Sequence, residues 1–273
     1  MPLNFQKYFV CFLDILGFRK IVEGNQTSKI DVYLAISQEL RKYWSNVQEK
    51  EDFLFYSFSD SIVIAVKLEG LSEDQYKEKL KHLSIVVASL QFHLAKNDIW
   101  LRGGISGGQI SLNREEKDFL LFGKAFIQAY DLENLYAKFP RVLRDSNLVS
   151  FCGFSETCDL IQYINKNNNY DNWKGDLVFD WPLVSSQDKV KPRIKHDLPL
   201  FIDYLEYLFQ SFGDFENNKH ELFQALLKKV LTQNINHYEK YRWVTDYYLT
   251  KLETRLALGK TEYIHDFKKS LKL

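Results

Sequence analysis

PheLeuPheTyrSerPheSerAsp (53–60) runs directly into SerIleValIleAlaVal (61–66). Both runs are rich in aromatic and β-branched residues, and they meet at Ser59–Asp60–Ser61, so together they predict a β-hairpin. Upstream, TyrPheValCysPheLeuAspIle (8–15) is an apolar strand that ends at a carboxylate and is followed by Gly17. Helical periodicity covers 28–47 before the hairpin and 72–95 after it. TrpLeuArgGlyGlyIleSerGlyGly (100–108) reads as a strand containing glycines, and 124–137 as a helix. The order β-α-β-β-α-β-α-β is the split βαβ, or ferredoxin-like, α+β pattern. In that pattern strands 1 and 3 are neighbours at the centre of the sheet.

The rest of the chain has a different texture. Ten of the twelve glycines precede residue 176, which puts loop-borne chemistry in the first two-thirds. Residues 164–196, with AsnLysAsnAsnAsn, Pro182 and Pro192, read as a connector holding one strand at 177–180. Beyond it, 198–209, 221–231 and 236–258 carry helical spacing. The predicted division is therefore a catalytic-type domain over 1–180 and a helical extension over 181–273.

Composition narrows the function classes. Thirty-six basic residues balance 36 acidic ones, so the 273-residue chain has none of the basic excess of a nucleic-acid binder. Three cysteines (Cys11, Cys152, Cys158) form no CxxC pair, which suits a reducing compartment. The N-terminus lacks signal-peptide features, and charged or polar residues interrupt the apolar stretches before they could span a bilayer. A cytoplasmic protein without direct membrane insertion is expected. The six histidines are scattered without HExxH or zinc spacing; GlyGlyIleSerGlyGly (103–108) lacks the spacing of GxGxxG and has no GK[ST], and no GxSxG elbow, a strand-to-helix turn, is expected. Aromatic residues of the C-terminal part recur at helical spacing and read as packing rather than as platforms for nucleic-acid bases.

Two carboxylates stand out. Asp14 ends an apolar strand and Asp60 sits at the turn of an apolar hairpin, and the βαββ order brings those ends together. Two desolvated carboxylates repel unless a cation lies between them. Oxygen ligands favour Mg²⁺ or Mn²⁺, with coordination positions left for a substrate's phosphates. The alternative is local: Asp14 caps the helix near Gly17, and Asp60 serves the turn.

Four segments, PheLeuAspIleLeuGlyPhe (12–18), PheSerAspSerIleValIle (58–64), ArgGlyGlyIleSerGlyGly (102–108) and GlyLysAlaPheIleGlnAlaTyrAspLeuGlu (123–133), resemble in content and order the class III nucleotide cyclases. They are most similar to the pyrimidine cyclases of bacterial Pycsar anti-phage defence, over roughly residues 7–150. The resemblance implies a class III cyclase core that binds two Mn²⁺ or Mg²⁺ ions through Asp14, the Ile15 carbonyl and Asp60. It implies that Phe12 lines the nucleotide site and that the Gly17–Phe18 turn meets phosphates. It also implies a homodimer with composite sites and a separately encoded effector that senses the cyclic nucleotide.

This chain departs from the family at two places. Adenylate cyclases read their base with a lysine and an aspartate, where Tyr56 and Leu120 stand here. A Tyr–Leu pair cannot match adenine's donor and acceptor pattern, whereas the Tyr56 phenol can meet the O4/N3 edge of uracil or stack on a small ring. UTP is the expected substrate and CTP the alternative. Ile127 and Asp131 occupy the positions of the family's asparagine and transition-state arginine, so another cation must serve. Arg102 and Arg141 are candidates, and Lys124 is either a phosphate ligand or a solvated surface cation. A cyclase-like regulator without turnover, and a polymerase-palm relative lacking the GGDD-type turn, are the rival readings.

Overall fold

The computed structural model describes residues 4–47, 53–115, 118–165, 178–180, 200–209, 216–233 and 238–255. Strand β1 (Phe5–Ile15) is almost continuously apolar because both of its faces are covered. On one face Phe9 meets Tyr76 and Phe151 edge-on, with ring centroids 6.4 and 5.7 Å away. On the other, Tyr8, Val10 and Phe12 share a cluster with Ala125 and Ala129.

The chain turns at Gly17 (φ +76°) into α1 (Phe18–Glu23) and α2 (Thr27–Val47). The predicted hairpin is present as β2 (Phe53–Phe58) and β3 (Ser61–Lys67). Helix α3 (Glu73–Ala95) begins at a reciprocal cap, in which the Ser72 hydroxyl accepts from the Gln75 N–H and the Gln75 side chain accepts from the Ser72 N–H. Then come β4 (Leu101–Glu115), β5 (Asp118–Gly123), α4 (Lys124–Asp131), a π-helical turn at Leu132–Tyr136, and β6 (Val142–Arg144). Short helices α5 (Asn147–Phe151) and α6 (Thr157–Asn165) follow.

The sheet order is β2-β3-β1-β4-β6, with β1 antiparallel to both β3 and β4. This is the ferredoxin-like βαββαβ arrangement, extended by β6 parallel to β4. Three local expectations are corrected. The strand read over 100–108 continues to Glu115 and folds back as β5, because Leu112 and Leu121 pair across the new hairpin in the core cluster. The helix read over 124–137 changes to a π turn after Asp131. Residues 198–209 are not one helix: β8 (Leu200–Ile202), with Phe201 opposite Leu143 on β6, is followed by α7 (Glu206–Phe209). A short apolar run satisfies either period, and pairing with a strand edge decides it. The strand expected at 177–180 appears as β7 (Val178–Asp180). Pro182, Pro192 and the AsnLysAsnAsnAsn stretch lie outside the described residues.

The chain divides into two compact units, residues 1–178 with 201–204, and residues 179–200 with 205–273. In the second unit the described residues from Glu206 onward are helical, with α7 followed by α8 (Glu216–Gln233) and α9 (Tyr238–Arg255). Residues 243–252 of α9 are all buried, so that stretch has no solvent-exposed face and its Thr245, Asp246, Thr250 and Lys251 are buried with the apolar residues. A buried ion pair joins Lys251 Nζ to Glu206 Oε2 at 2.5 Å, and His220 Nδ1 lies 3.0 Å from the Tyr248 hydroxyl.

Candidate active site

Asp14 lies one residue from the end of β1, opposite Ser61 on β3 and Arg102 on β4. Two main-chain bonds fix the strand's exit: the Ile15 N–H donates to the Asp60 carbonyl at 3.0 Å, and the Leu16 N–H to the Trp100 carbonyl at 2.8 Å. The β2–β3 turn is therefore tied to the carboxylate-bearing end of β1. Ser59 adopts φ +52°, a left-handed conformation that sharpens this turn. The structure thus brings Asp14, Ile15 and Asp60 to one corner of the sheet.

Arg102 joins them. Its Nε donates to Asp14 Oδ2 at 3.0 Å, and its Nη2 lies 2.7 Å from Glu133 Oε1. The Arg102 side chain is a quarter exposed, Asp14 less so, and that of Glu133 is 5% exposed. Burial raises the Glu133 carboxyl above the usual range; the Arg102 charge opposes this, and the Asp14 and Asp60 charges add to it. Three carboxylates thus share one field with a single guanidinium bridging two of them.

Glu133 was not singled out from the sequence, though a signal was present. Positions 125, 129 and 133 repeat every four residues, and Ala125 and Ala129 pack on the sheet. Small residues there let the helix approach the glycine strand. A Cβ at Gly104 would overlap Leu132 Cβ and the Ala129 carbonyl. A glutamate third in such a stripe is directed inward, so it needs a buried partner.

The other predicted residues are more dispersed. Phe12 lies in the same row as Tyr56, Val63 and Gly104, two pairs in from Asp14. Phe12 is 5% exposed and covered edge-on by Phe126 and Tyr130, with centroids at 5.9 and 5.3 Å. Tyr56 is half-buried against the same apolar cluster. The backbone of Leu120 lies in β5 opposite Asn113. Gly17 is exposed and Phe18 half-buried, and the Lys20 and Ile21 N–H groups are taken up by the Gly17 carbonyl. Lys124 is exposed at the start of α4, beside the Gly108 end of β4, about six strand residues or roughly 20 Å from Arg102. Within one chain it is not brought to Asp14.

Arg141 is buried, with Nη2 donating to the Tyr136 carbonyl at 3.4 Å and its guanidinium over the Phe139 ring. It closes the loop after the π turn, whereas Arg102 is the candidate cation that touches Asp14. Ile127 and Tyr130 stand at the surface of α4, 56% and 43% exposed.

The donor set fits a hard divalent cation with open coordination. Two aspartates and a neighbouring main-chain carbonyl are all oxygen donors, and Asp14 already holds a positive group. Among the described residues no three His, Cys, Asp or Glu side chains are grouped so as to hold a metal ion by themselves. A cation here would therefore take its remaining ligands from water or phosphate.

No protein-family model matches the chain, and no curated protein matches it. Solved structures similar to it include the adenylyl cyclase CyaB from P. aeruginosa, at 14% identity and TM-score 0.45 over 74% of this chain and 94% of that one. They include the guanylyl cyclase Cya2, at 13% identity and TM-score 0.42 over 74% and 92%. The guanylate cyclase domain of RhGC from Catenaria anguillulae, in complex with GTP, aligns at 12% identity and TM-score 0.42 over 55% and 84%. Among the described residues no helix is long and apolar enough to cross a membrane. The chain is an α+β protein in which Asp14 and Arg102 of the βαββαβ sheet meet Asp60 of the β2–β3 turn and Glu133 of the π turn at one corner.

Proposed function

We propose that this chain is a metal-dependent nucleotide cyclase that converts UTP to 3′,5′-cyclic UMP and pyrophosphate. The observation that carries the reading is the convergence of Asp14, Asp60 and Arg102 where β1, the β2–β3 turn and β4 meet. In the reaction the ribose 3′-oxygen forms a bond to the α-phosphorus, the bond from that phosphorus to the β-phosphate bridging oxygen breaks, and the 3′ proton passes to solvent. Asp14 and Asp60, with the Ile15 carbonyl, would hold Mn²⁺ or Mg²⁺, which when bound supplies positive charge to the 3′-oxygen and the phosphates. Arg102, a quarter exposed, presents guanidinium N–H groups beside that position and can meet a phosphate oxygen.

The pyrimidine preference is supported by Tyr56, which lies in the Phe12 row and packs, partly buried, against the apolar cluster that includes Phe12 and Val63, a setting suited to a small ring. The homodimer with composite sites draws support from the exposed Phe58, Ile127 and Tyr130, large apolar groups on the hairpin and α4. The resemblance to Pycsar cyclases supports a role in anti-phage signalling through a separate effector.

The test is incubation with each of the four nucleoside triphosphates and Mn²⁺, with products resolved by mass beside Asp14→Ala and Asp60→Ala. Cyclic UMP absent from both variants is the expected result, and cyclic CMP would move the substrate to CTP. Cyclic AMP would defeat the reading of Tyr56. A second reading, a nucleotide-binding regulator without turnover, is favoured by Ile127 and Asp131 on α4. It predicts triphosphate binding with no cyclic product.

A further inference from the structure

Arg102 has two carboxylate partners of different character. Asp14 is a proposed metal ligand at the mouth of the site, whereas Glu133 is 3% exposed and held on the π turn behind it. Arg102 itself comes from β4, opposite Asp14, so its stem cannot leave the corner. The two contacts use different nitrogens: Nε faces Asp14 and Nη2 faces Glu133. One contact can therefore be given up while the other is kept.

We propose that Glu133 is a positioning residue that retains Arg102 when a divalent cation takes over Asp14. In the metal-free protein Arg102 is the counter-charge that lets Asp14 stand beside Asp60. On metal binding the Nε contact is released and the Nη2 contact to Glu133 remains, so the guanidinium stays in the corner with Nε free to donate. A guanidinium can do this because its donors diverge in a rigid plane, whereas a lysine ammonium would have to leave one carboxylate for the other. The π turn matters because Glu133 enters the corner at the point where the regular helix ends.

The inference rests on the metal site proposed above, and its test uses the metal alone. Mn²⁺ is titrated into the full chain without nucleotide, and the free ion is followed by its electron paramagnetic resonance signal. Arg102→Gln removes the competing cation and is expected to tighten Mn²⁺ binding about fivefold, the size of a partly exposed charge pair. Glu133→Gln leaves Arg102 with Asp14 as its remaining carboxylate partner in the corner, and is expected to weaken binding about fivefold. Glu133→Asp, whose carboxylate is drawn back by one methylene, is a second variant expected to shift binding in the same direction. In the Arg102→Gln background, Glu133→Gln is expected to change nothing.

Equal weakening by Glu133→Gln in both backgrounds would make Glu133 a direct ligand or a packing residue and would overturn the proposal. Unchanged affinity in every variant, or no Mn²⁺ binding to either wild type or Arg102→Gln, would also overturn it. The cyclase reading fails separately, if Mn²⁺ binds with the expected coupling and no triphosphate yields a cyclic product.

Discussion

The main-chain N–H of Ile15 donates to the Asp60 carbonyl at 3.0 Å, so the residue after the first aspartate fixes the backbone of the second. The two carboxylates are thereby held by strand pairing rather than by a mobile loop, the rigidity that a two-carboxylate cation site requires. Asp14→Asn and Asp60→Asn should each lower turnover in the proposed cyclase reaction on the order of 10³-fold, as expected when charge stabilisation at the reacting phosphate is lost. Asp60→Asn should leave metal-free stability within about 0.5 kcal/mol, because it removes a like charge and no main-chain bond. Turnover assays beside thermal melts would separate the two effects.

Ser59 pays for the turn's sharpness with a positive φ. Ser59→Gly should stabilise the protein by about 0.5–1 kcal/mol, since glycine takes that conformation without a Cβ clash. Ser59→Val should cost about 1–2 kcal/mol and reduce turnover by displacing Asp60. Urea denaturation with parallel assays would read both.

Gly104 lets α4 and the π turn lie directly on β4. Any Cβ there would overlap Leu132 and the Ala129 carbonyl, neither of which is the end of a flexible chain. Gly104→Ala should therefore cost about 3 kcal/mol and loosen the ion pair between Arg102 and Glu133. Gly70→Ala, at an exposed turn with open space around it, should cost about 1 kcal/mol and leave turnover unchanged.

In the helical unit, Lys251 and Glu206 are both nearly inaccessible, with side chains 4% and 2% exposed. Lys251→Met would remove the ammonium group 2.5 Å from the buried Glu206 carboxylate and should cost about 3–5 kcal/mol. The double change Glu206→Gln with Lys251→Met should cost less than the single one. Chemical denaturation followed by circular dichroism gives the comparison.

The thiols should separate by accessibility and by pH. Burial pushes the Cys152 thiol up to about 12 and raises Cys11 as well, each opposed by the nearby Arg144 charge. Cys158 is exposed, and its S–H donates to Glu156, which raises its pKa. Iodoacetamide at pH 8 should label Cys158 alone, more slowly than a free cysteine, and faster as rising pH increases the thiolate fraction. Cys11 and Cys152 should react only after unfolding. Peptide mass mapping would check all three sites.

Much of this architecture is legible in the amino-acid sequence. Strand β1, the hairpin turn at Ser59–Asp60 and the helix over 72–95 are local signals, because turn chemistry and hydrophobic period act over a few residues. The βαββ order then placed Asp14 beside the hairpin with no knowledge of contacts. What local signals could not convey was the change to a π turn after Asp131, or the strand at Leu200–Ile202, which sheet pairing selects over a helix.

The same boundary runs through the site. The sequence by itself determined which residue types mark the strand ends: an aspartate closing the first strand, an aspartate in the hairpin turn, and an arginine followed by glycines opening the later strand, since apolar period and turn chemistry are local. Only the tertiary structure decided which cation serves. Arg102 and Arg141 are equally basic in sequence, but Arg102 stands opposite Asp14 across β1 and β4, whereas Arg141 folds back on the Tyr136 carbonyl. It also decided that Glu133, 119 positions after Asp14, shares the same guanidinium. A buried charge is placed by the packing around it, and that packing is assembled from segments far apart in the chain.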